Sequence, residues 1–310
     1  MTYPRSHLID PNGGTYHVCS RCVRRAFLFS TDSVTGKDFS HRRDWIENRI
    51  LELSDIFTVS VYAYAVMSNH YHIVLRIDDV NLSDEEVTTR WLKLCPGRRV
   101  DNHAADIQIV RKAALLNDPF RISEIRSRLS SLSWFMRFIN EPLARLANKE
   151  DDCKGRFWEG RFKSQALLDE ASVLACMVYV DLNPVRAGIA RDIDDSDFTS
   201  IKRRCKNQDE KEPVGAINQS NSKKTPFSET TLHDYLNLVR WTATQQSHMR
   251  RDIQHNVSQC LKNNHTNMTH WFADHMPIQD TWQRAMGSAE ILSEYAKSIQ
   301  QRWIRRRTQL

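Results

Sequence analysis

The 310-residue chain has no apolar stretch approaching the ~20 residues that a membrane-spanning helix requires. Its first residues, Met1-Thr2-Tyr3-Pro4-Arg5-Ser6-His7, lack the apolar centre of a secretory signal. These absences give a soluble, cytoplasmic protein with no membrane partner as the expectation. There is no internal repeat and no phosphate-binding G-x-x-x-x-G-K-[S/T] loop, so nothing points to chemistry driven by a nucleoside triphosphate. A second Cys-x-x-Cys is also missing. Cys19-Ser20-Arg21-Cys22 stands alone, in a segment that reads as a strand, where residues three apart face opposite sides, and a structural zinc site is not expected there. The seven cysteines, an odd number spread from Cys19 to Cys260, suit reduced thiols better than a disulfide framework.

Strong charge is missing as well: the net value is +6. Its distribution is uneven. Residues after 200 carry 17 Lys/Arg against 10 Asp/Glu, or +7, which leaves −1 for the first 200. A basic C-terminal third favours a polyanionic partner without requiring one, because basic tails also serve solubility.

What is present is enough apolar material for a real core, 40% of residues, in one large or two modest domains. A strand is expected near 14–23 and a helix near 39–55, with Trp45, Ile50, Leu51 and Leu53 as its apolar side. The run from Thr58 to Met67 (TVSVYAYAVM) and the run from His70 to Ile77 (HYHIVLRI) are rich in β-branched and aromatic residues. They read as two strands, 57–66 and 70–77, joined by a turn at Ser68-Asn69. A charged segment of about 80–120 containing Cys95-Pro96-Gly97 reads as a partly helical insertion. A long helix over 122–147 follows, with Ile125, Leu129, Leu132, Phe135, Met136 and Ile139 at helical spacing. The segment ending in Leu168 reads as a strand, and 169–183 as a helix with an acidic start, stopped by Pro184. This order predicts an α+β fold: a small antiparallel sheet of ferredoxin or RNA-recognition-motif type with helices on its faces, extending over 1–204. Residues 205–228 are polar with Gly and Pro and read as a linker. Residues 229–310 read as a helical, basic C-terminal region, with helices expected at 229–244 and 288–307 and a less distinct pattern at 263–279.

Two imidazoles carry the chemistry. On a strand His70 and His72 share one face with Val74, while Tyr71, Ile73 and Leu75 share the other. If the apolar face packs on a core, the histidine face is free to bind a divalent ion, for which neutral imidazole is a common ligand. Two ligands alone are also what ordinary surface histidines would offer. In the helix before Pro184, Tyr179 and Asn183 lie four apart and so address one ligand from one face, although helix packing and helix termination account for such a pair equally well.

Taken together, His70-Tyr71-His72, the segment from Arg156 to Ser164 (RFWEGRFKS) and the segment from Tyr179 to Gly188 (YVDLNPVRAG) resemble the single-tyrosine transposases of the HUH nuclease superfamily, specifically the REP-associated tyrosine transposases. The resemblance covers about 12–200, poorly over 80–120, and leaves the C-terminal third without an implied role. It implies the HUH endonuclease fold, His70 and His72 as ligands of Mg²⁺ or Mn²⁺, Tyr179 as nucleophile and Asn183 as third ligand, where many relatives carry Gln. It implies a single-stranded, hairpin DNA substrate, cut to leave a 5′-phosphotyrosine and a free 3′-hydroxyl, in a protein that is nucleoid-associated when bound. Homodimer formation stays open. Arg156, Arg161, Lys163 and Arg186 are the candidates for backbone contacts, and Phe157 and Trp158 are candidates either for base stacking or for core packing. Two other functions remain: a regulatory nucleic-acid-binding protein that has kept the fold without the chemistry, and a metal-dependent hydrolase that uses activated water.

Overall fold

The computed structural model describes residues 13–23, 29, 31, 36–78, 80–97, 104–206, 211–218, 227, 229–246, 257, 261–262, 282–302 and 304. The pattern at 263–279, most of 205–228 and most of the basic end lie outside the described residues. The chain is α+β. In order it forms β1 (Gly14–Arg21), α1 (His41–Ile56), β2 (Val59–Val66), β3 (His70–Ile77), α2 (Asp84–Leu94), α3 (Ala104–Leu116), α4 (Pro119–Leu129) and α5 (Leu132–Glu150). Then follow β4 (Lys163–Leu167), α6 (Glu170–Asp181), α7 (Asn183–Arg186), α8 (Ser200–Cys205), α9 (Leu232–Gln246), β5 (Ala285–Met286) and α10 (Ala289–Ser298).

The five strands form one mixed sheet in the order β2-β3-β1-β4-β5. β1 and β2 both pair antiparallel with β3 and therefore run parallel to each other with β3 between them. β4 pairs antiparallel with β1, and β5 adds a short parallel edge to β4. Alternation along the strands divides the core in two. Tyr16, Val18, Tyr71, Ile73 and Leu75 face a layer built from α1 and α5, where Ile46, Ile50, Phe135, Met136 and Ile139 are buried. Ala63, Ala65, Val74 and Leu167 face α6, α8 and α9, through Leu174, Val178, Ile201, Tyr235 and Val239.

The expectation of a free histidine face is therefore corrected: α6 lies over it, and His72 is only 5% exposed. The long helix expected over 122–147 is also two helices. The chain breaks at Ser130-Ser131, where the Ser130 hydroxyl donates to the Arg126 carbonyl. Serine hydroxyls compete with the helical ladder in this way. The 80–120 segment is more helical than expected. Ser83 and Glu86 close a reciprocal capping box that starts α2, and Asp118 caps α4 with Pro119 just inside it. Cys19 and Cys22 are buried free thiols. Among the described residues no helix is long and apolar enough to cross a membrane.

The second core is pinned by a buried polar cluster. Asp181, at the end of α6, accepts from the Tyr235 hydroxyl of α9 at 2.6 Å and from the Ser200 hydroxyl of α8. Arg204 stands 4.0 Å from the same carboxylate while donating to the carbonyls of Tyr62 and Gly215. The rigid elements around α6 thus include one from the C-terminal region.

Candidate active site

Pairing registers explain how residues 148 positions apart in sequence, His17 and Gln165, converge. Cys19 lies opposite His72, Arg21 opposite His70, and His17 opposite both Val74 and Gln165. Directly opposed residues of an antiparallel pair point to the same side. One face of the sheet therefore presents His17, His70, His72 and Gln165 in a patch, with Arg21 and Lys163 at its margin. α6 lies over this patch and brings Tyr179 down to it. The Tyr179 ring meets His72 edge-on, with centroids 5.8 Å apart, and meets His17 at 6.0 Å. The Arg186 guanidinium lies 5.3 Å from the centre of the Tyr179 ring, and Asn183 is close enough to hydrogen-bond the phenol.

The histidines are held as neutral rings. Burial, reinforced by Arg21, pushes His70 down to about 4. Burial alone takes His17 to about 4, against a weaker pull from Gln165. His72 is driven well below its ordinary 6.5 by burial and by the neighbouring His17, His70 and Arg21. Burial also raises the Tyr179 phenol, against the opposing hydrogen bond from Asn183 and the charge of Arg186. Tyr179 is thus protonated at neutral pH, and a cation beside its oxygen would be needed to favour the phenolate.

The donor set can be read from the ring nitrogens. His70 Nδ1 lies 2.6 Å from the Asn69 side-chain oxygen, which only accepts. Its proton is therefore on Nδ1, and Nε2 keeps a lone pair. His72 Nδ1 is engaged by His17 Nε2 at 2.9 Å, so its Nε2 is the nitrogen left for another partner. The two rings are nearly perpendicular, 82° apart, with centroids at 5.0 Å. Among the described residues no three His, Cys, Asp or Glu side chains are grouped so as to hold a metal ion. A divalent ion at this place would depend on His70, His72 and oxygen ligands. The Asn183 amide, beside the Tyr179 phenol, is a candidate through its oxygen.

The other residues expected at the site divide. Arg156, Arg161 and Lys163 are exposed, and Arg186 is half-buried against Tyr179. Phe157 is 5% exposed and packs against Phe29 and Trp158. Trp158 is half-buried, its indole N–H donating to the Asn140 carbonyl at 2.8 Å and its ring edge-on to Tyr71. Both aromatics are therefore packed into the α1/α5 side of the sheet, away from the face that carries the histidines.

Sequence reasoning missed three contributors. His17 and Gln165 become neighbours of His72 only once strand register is known. Trp282 comes from the C-terminal region: its ring lies 4.9 Å from His17, its N–H donates to the Ser164 carbonyl at 3.2 Å, and Lys163 Nζ stands 6.0 Å from its ring centre.

No protein-family model and no curated protein matches the chain. A solved structure described as a REP-associated tyrosine transposase bound to a REP hairpin aligns with 73% of this chain and 96% of its own, at 14% identity and a TM-score of 0.42. A likeness at that level carries no argument about this chain.

Proposed function

We propose that the protein is a single-strand DNA endonuclease and strand transferase in which Tyr179 is the nucleophile. The observation that carries this reading is the packing of Tyr179, from a helix more than a hundred residues further along the chain, edge-on against His72 at 5.8 Å. Asn183 and Arg186 follow on the next turns. The motif resemblance supports it, as does the strand order β2-β3-β1-β4, in which two parallel strands are split by a third, as a ferredoxin-type sheet would have them.

In this reading the Tyr179 oxygen attacks phosphorus. The new bond joins Tyr179 through phosphate to the 5′ end of the downstream strand, the phosphorus–O3′ bond breaks, and the departing 3′ oxygen of the upstream strand takes up a proton in place of the one the phenol gives up. One phosphoester replaces another, so a 3′-hydroxyl can reverse the step on the same or a different strand without an external energy source. Mg²⁺ or Mn²⁺, held by His70 and His72 through Nε2 with Asn183, would supply positive charge to the phosphate oxygens as displacement proceeds. Arg186, against the Tyr179 ring, adds fixed positive charge that favours the phenolate. Exposed Arg21, Arg156, Arg161 and Lys163 offer contacts for the phosphate backbone.

The test is a labelled hairpin oligonucleotide with Mn²⁺, resolved by denaturing electrophoresis. The full chain is expected to yield a protein-linked strand that Tyr179→Phe abolishes. Binding with no adduct and no metal dependence would favour a nucleic-acid-binding protein, and cleavage that survives Tyr179→Phe would favour a hydrolase using activated water.

A further inference from the structure

His17 is fully buried, and the Tyr179 reading gives it no role. Its Nε2 lies 2.9 Å from His72 Nδ1, so a single proton sits between the two rings. Its other nitrogen, Nδ1, is buried without a hydrogen bond, and so is Oε1 of Gln165, its direct cross-strand neighbour.

Two arrangements of that shared proton exist for neutral rings, and they are not equivalent. If His17 Nε2 carries it, His17 Nδ1 becomes a bare acceptor facing the carbonyl oxygen of Gln165. His72 must then carry its own proton on Nε2, which closes that nitrogen to a ligand. If His72 Nδ1 carries it, His17 bears its proton on Nδ1, and the cross-strand Gln165 Oε1, itself without a partner, is the acceptor at hand for it. A buried donor facing a buried acceptor is favoured over two opposed acceptors.

We propose that His17 is a positioning residue: with Gln165 it fixes His72 as the Nδ1–H tautomer and leaves the Nε2 lone pair of His72 directed away from the sheet as a ligand. Histidines that bind metals are commonly oriented through their second nitrogen in this way, by a carboxylate, carbonyl or water. Here an imidazole and an amide in series do the work. Asn69 does the same for His70 in one step. Trp282 packs against the His17 ring, 4.9 Å away and tied by its N–H to the Ser164 carbonyl, which gives the C-terminal region a part in the site. Both rings are buried, at 0% and 5% exposed, so the shared proton is shielded from exchange with solvent and the tautomer can be observed.

The tautomer assignment stands without a metal; its use as a ligand rests on the divalent-ion reading above. Two measurements separate them. Long-range ¹H–¹⁵N correlation on the full chain, histidine-labelled and treated with chelator at pH 7, should show Nδ1–H for both His17 and His72. An Nε2–H tautomer at His72 overturns the proposal. Mn²⁺ alone is then titrated into the unsubstituted chain, Gln165→Met, which removes the acceptor at nearly constant volume, and Gln165→Glu, which keeps it. Gln165→Met is expected to weaken Mn²⁺ binding by roughly 10- to 100-fold with an unchanged circular dichroism spectrum, and Gln165→Glu to restore it to within a few-fold. Equal affinities in all three overturn the proposal. An unsubstituted chain that shows Nδ1–H at His72 yet binds no Mn²⁺ overturns the divalent-ion reading and leaves the relay supported.

Discussion

Replacing Tyr235 by Phe removes one oxygen atom from a fully buried position and tests whether α9 holds the helix that carries Tyr179. The Tyr235 hydroxyl donates to Asp181 at 2.6 Å, and both residues are 0% exposed. Without it the Asp181 carboxylate keeps the Ser200 hydroxyl and the Ile201 backbone N–H, with Arg204 no closer than 4.0 Å. A hydrogen bond to a charged group contributes about 1.5–3 kcal/mol, and water has no route to replace the lost donor, so a loss of about 2 kcal/mol is expected. With an m-value on the order of 3 kcal/mol/M in urea for a chain of this size, the unfolding midpoint should fall by about 0.7 M. The gap should also depend on pH. Burial already raises the Asp181 carboxyl, against Arg204, Ser200 and Tyr235, and removing a donor raises it further. A carboxyl whose folded-state value lies above its unfolded value contributes stability that is lost as pH rises through that folded value. The variant should therefore fall further behind at pH 8 than at pH 5. A midpoint shift corresponding to less than ~0.5 kcal/mol at both pH values would refute the role assigned to this cluster.

Arg42, fully buried, donates to Glu150 at 2.8 Å and to Asp151 at 2.6 Å, tying α1 to the end of α5. Arg42→Met should cost about 2–3 kcal/mol in urea unfolding, below the usual range for a broken buried pair because both carboxylates reach solvent. Arg42→Lys should recover only part, since an ammonium cannot span two carboxylates as the guanidinium does. Acid should weaken the fold in chelator-treated protein. His17 is held down at about 4 from an ordinary 6.5, so its contribution is complete above 6.5 and is lost as pH falls toward 4, by about 2 kcal/mol at pH 5. His70 adds in the same direction. His17→Phe should remove much of this slope between pH 7 and pH 5, and an unchanged slope would contradict the neutral, buried state of the ring. Replacing both Ser130 and Ser131 by Ala should extend amide-exchange protection across 126–134 as α4 and α5 join, and unchanged exchange there would contradict the role given to the serine hydroxyls.

The hairpin of β2 and β3 was legible because β-branched and aromatic residues crowd two short runs around Ser68-Asn69. α6 was legible from its acidic start, but its end was not: it stops at Asp181, and Pro184, expected to end it, lies in the first turn of α7, which begins at Asn183. Alternation along β3 told which residues share a face, but not that a helix covers the histidine side. The uniformly buried run of β2 is the hint, since a strand apolar on both faces needs two covering layers. The capping box at Ser83 and the Asp118-Pro119 start were present as signals in the segment read only as a partly helical insertion. His17 was out of reach for another reason: its partnership with His72 depends on the register of strands 55 residues apart. Trp282 reaches the site through a two-residue strand at the sheet edge, too short to leave a pattern.

The central claim, that Tyr179 becomes covalently joined to DNA, is tested most directly by mass spectrometry of the protein after reaction with hairpin DNA and Mn²⁺, followed by nuclease and protease digestion. The account predicts a residual nucleotide attached through phosphate to the peptide bearing Tyr179 and to no other. A modified peptide elsewhere in the chain, or cleaved DNA with every tyrosine unmodified, would contradict it.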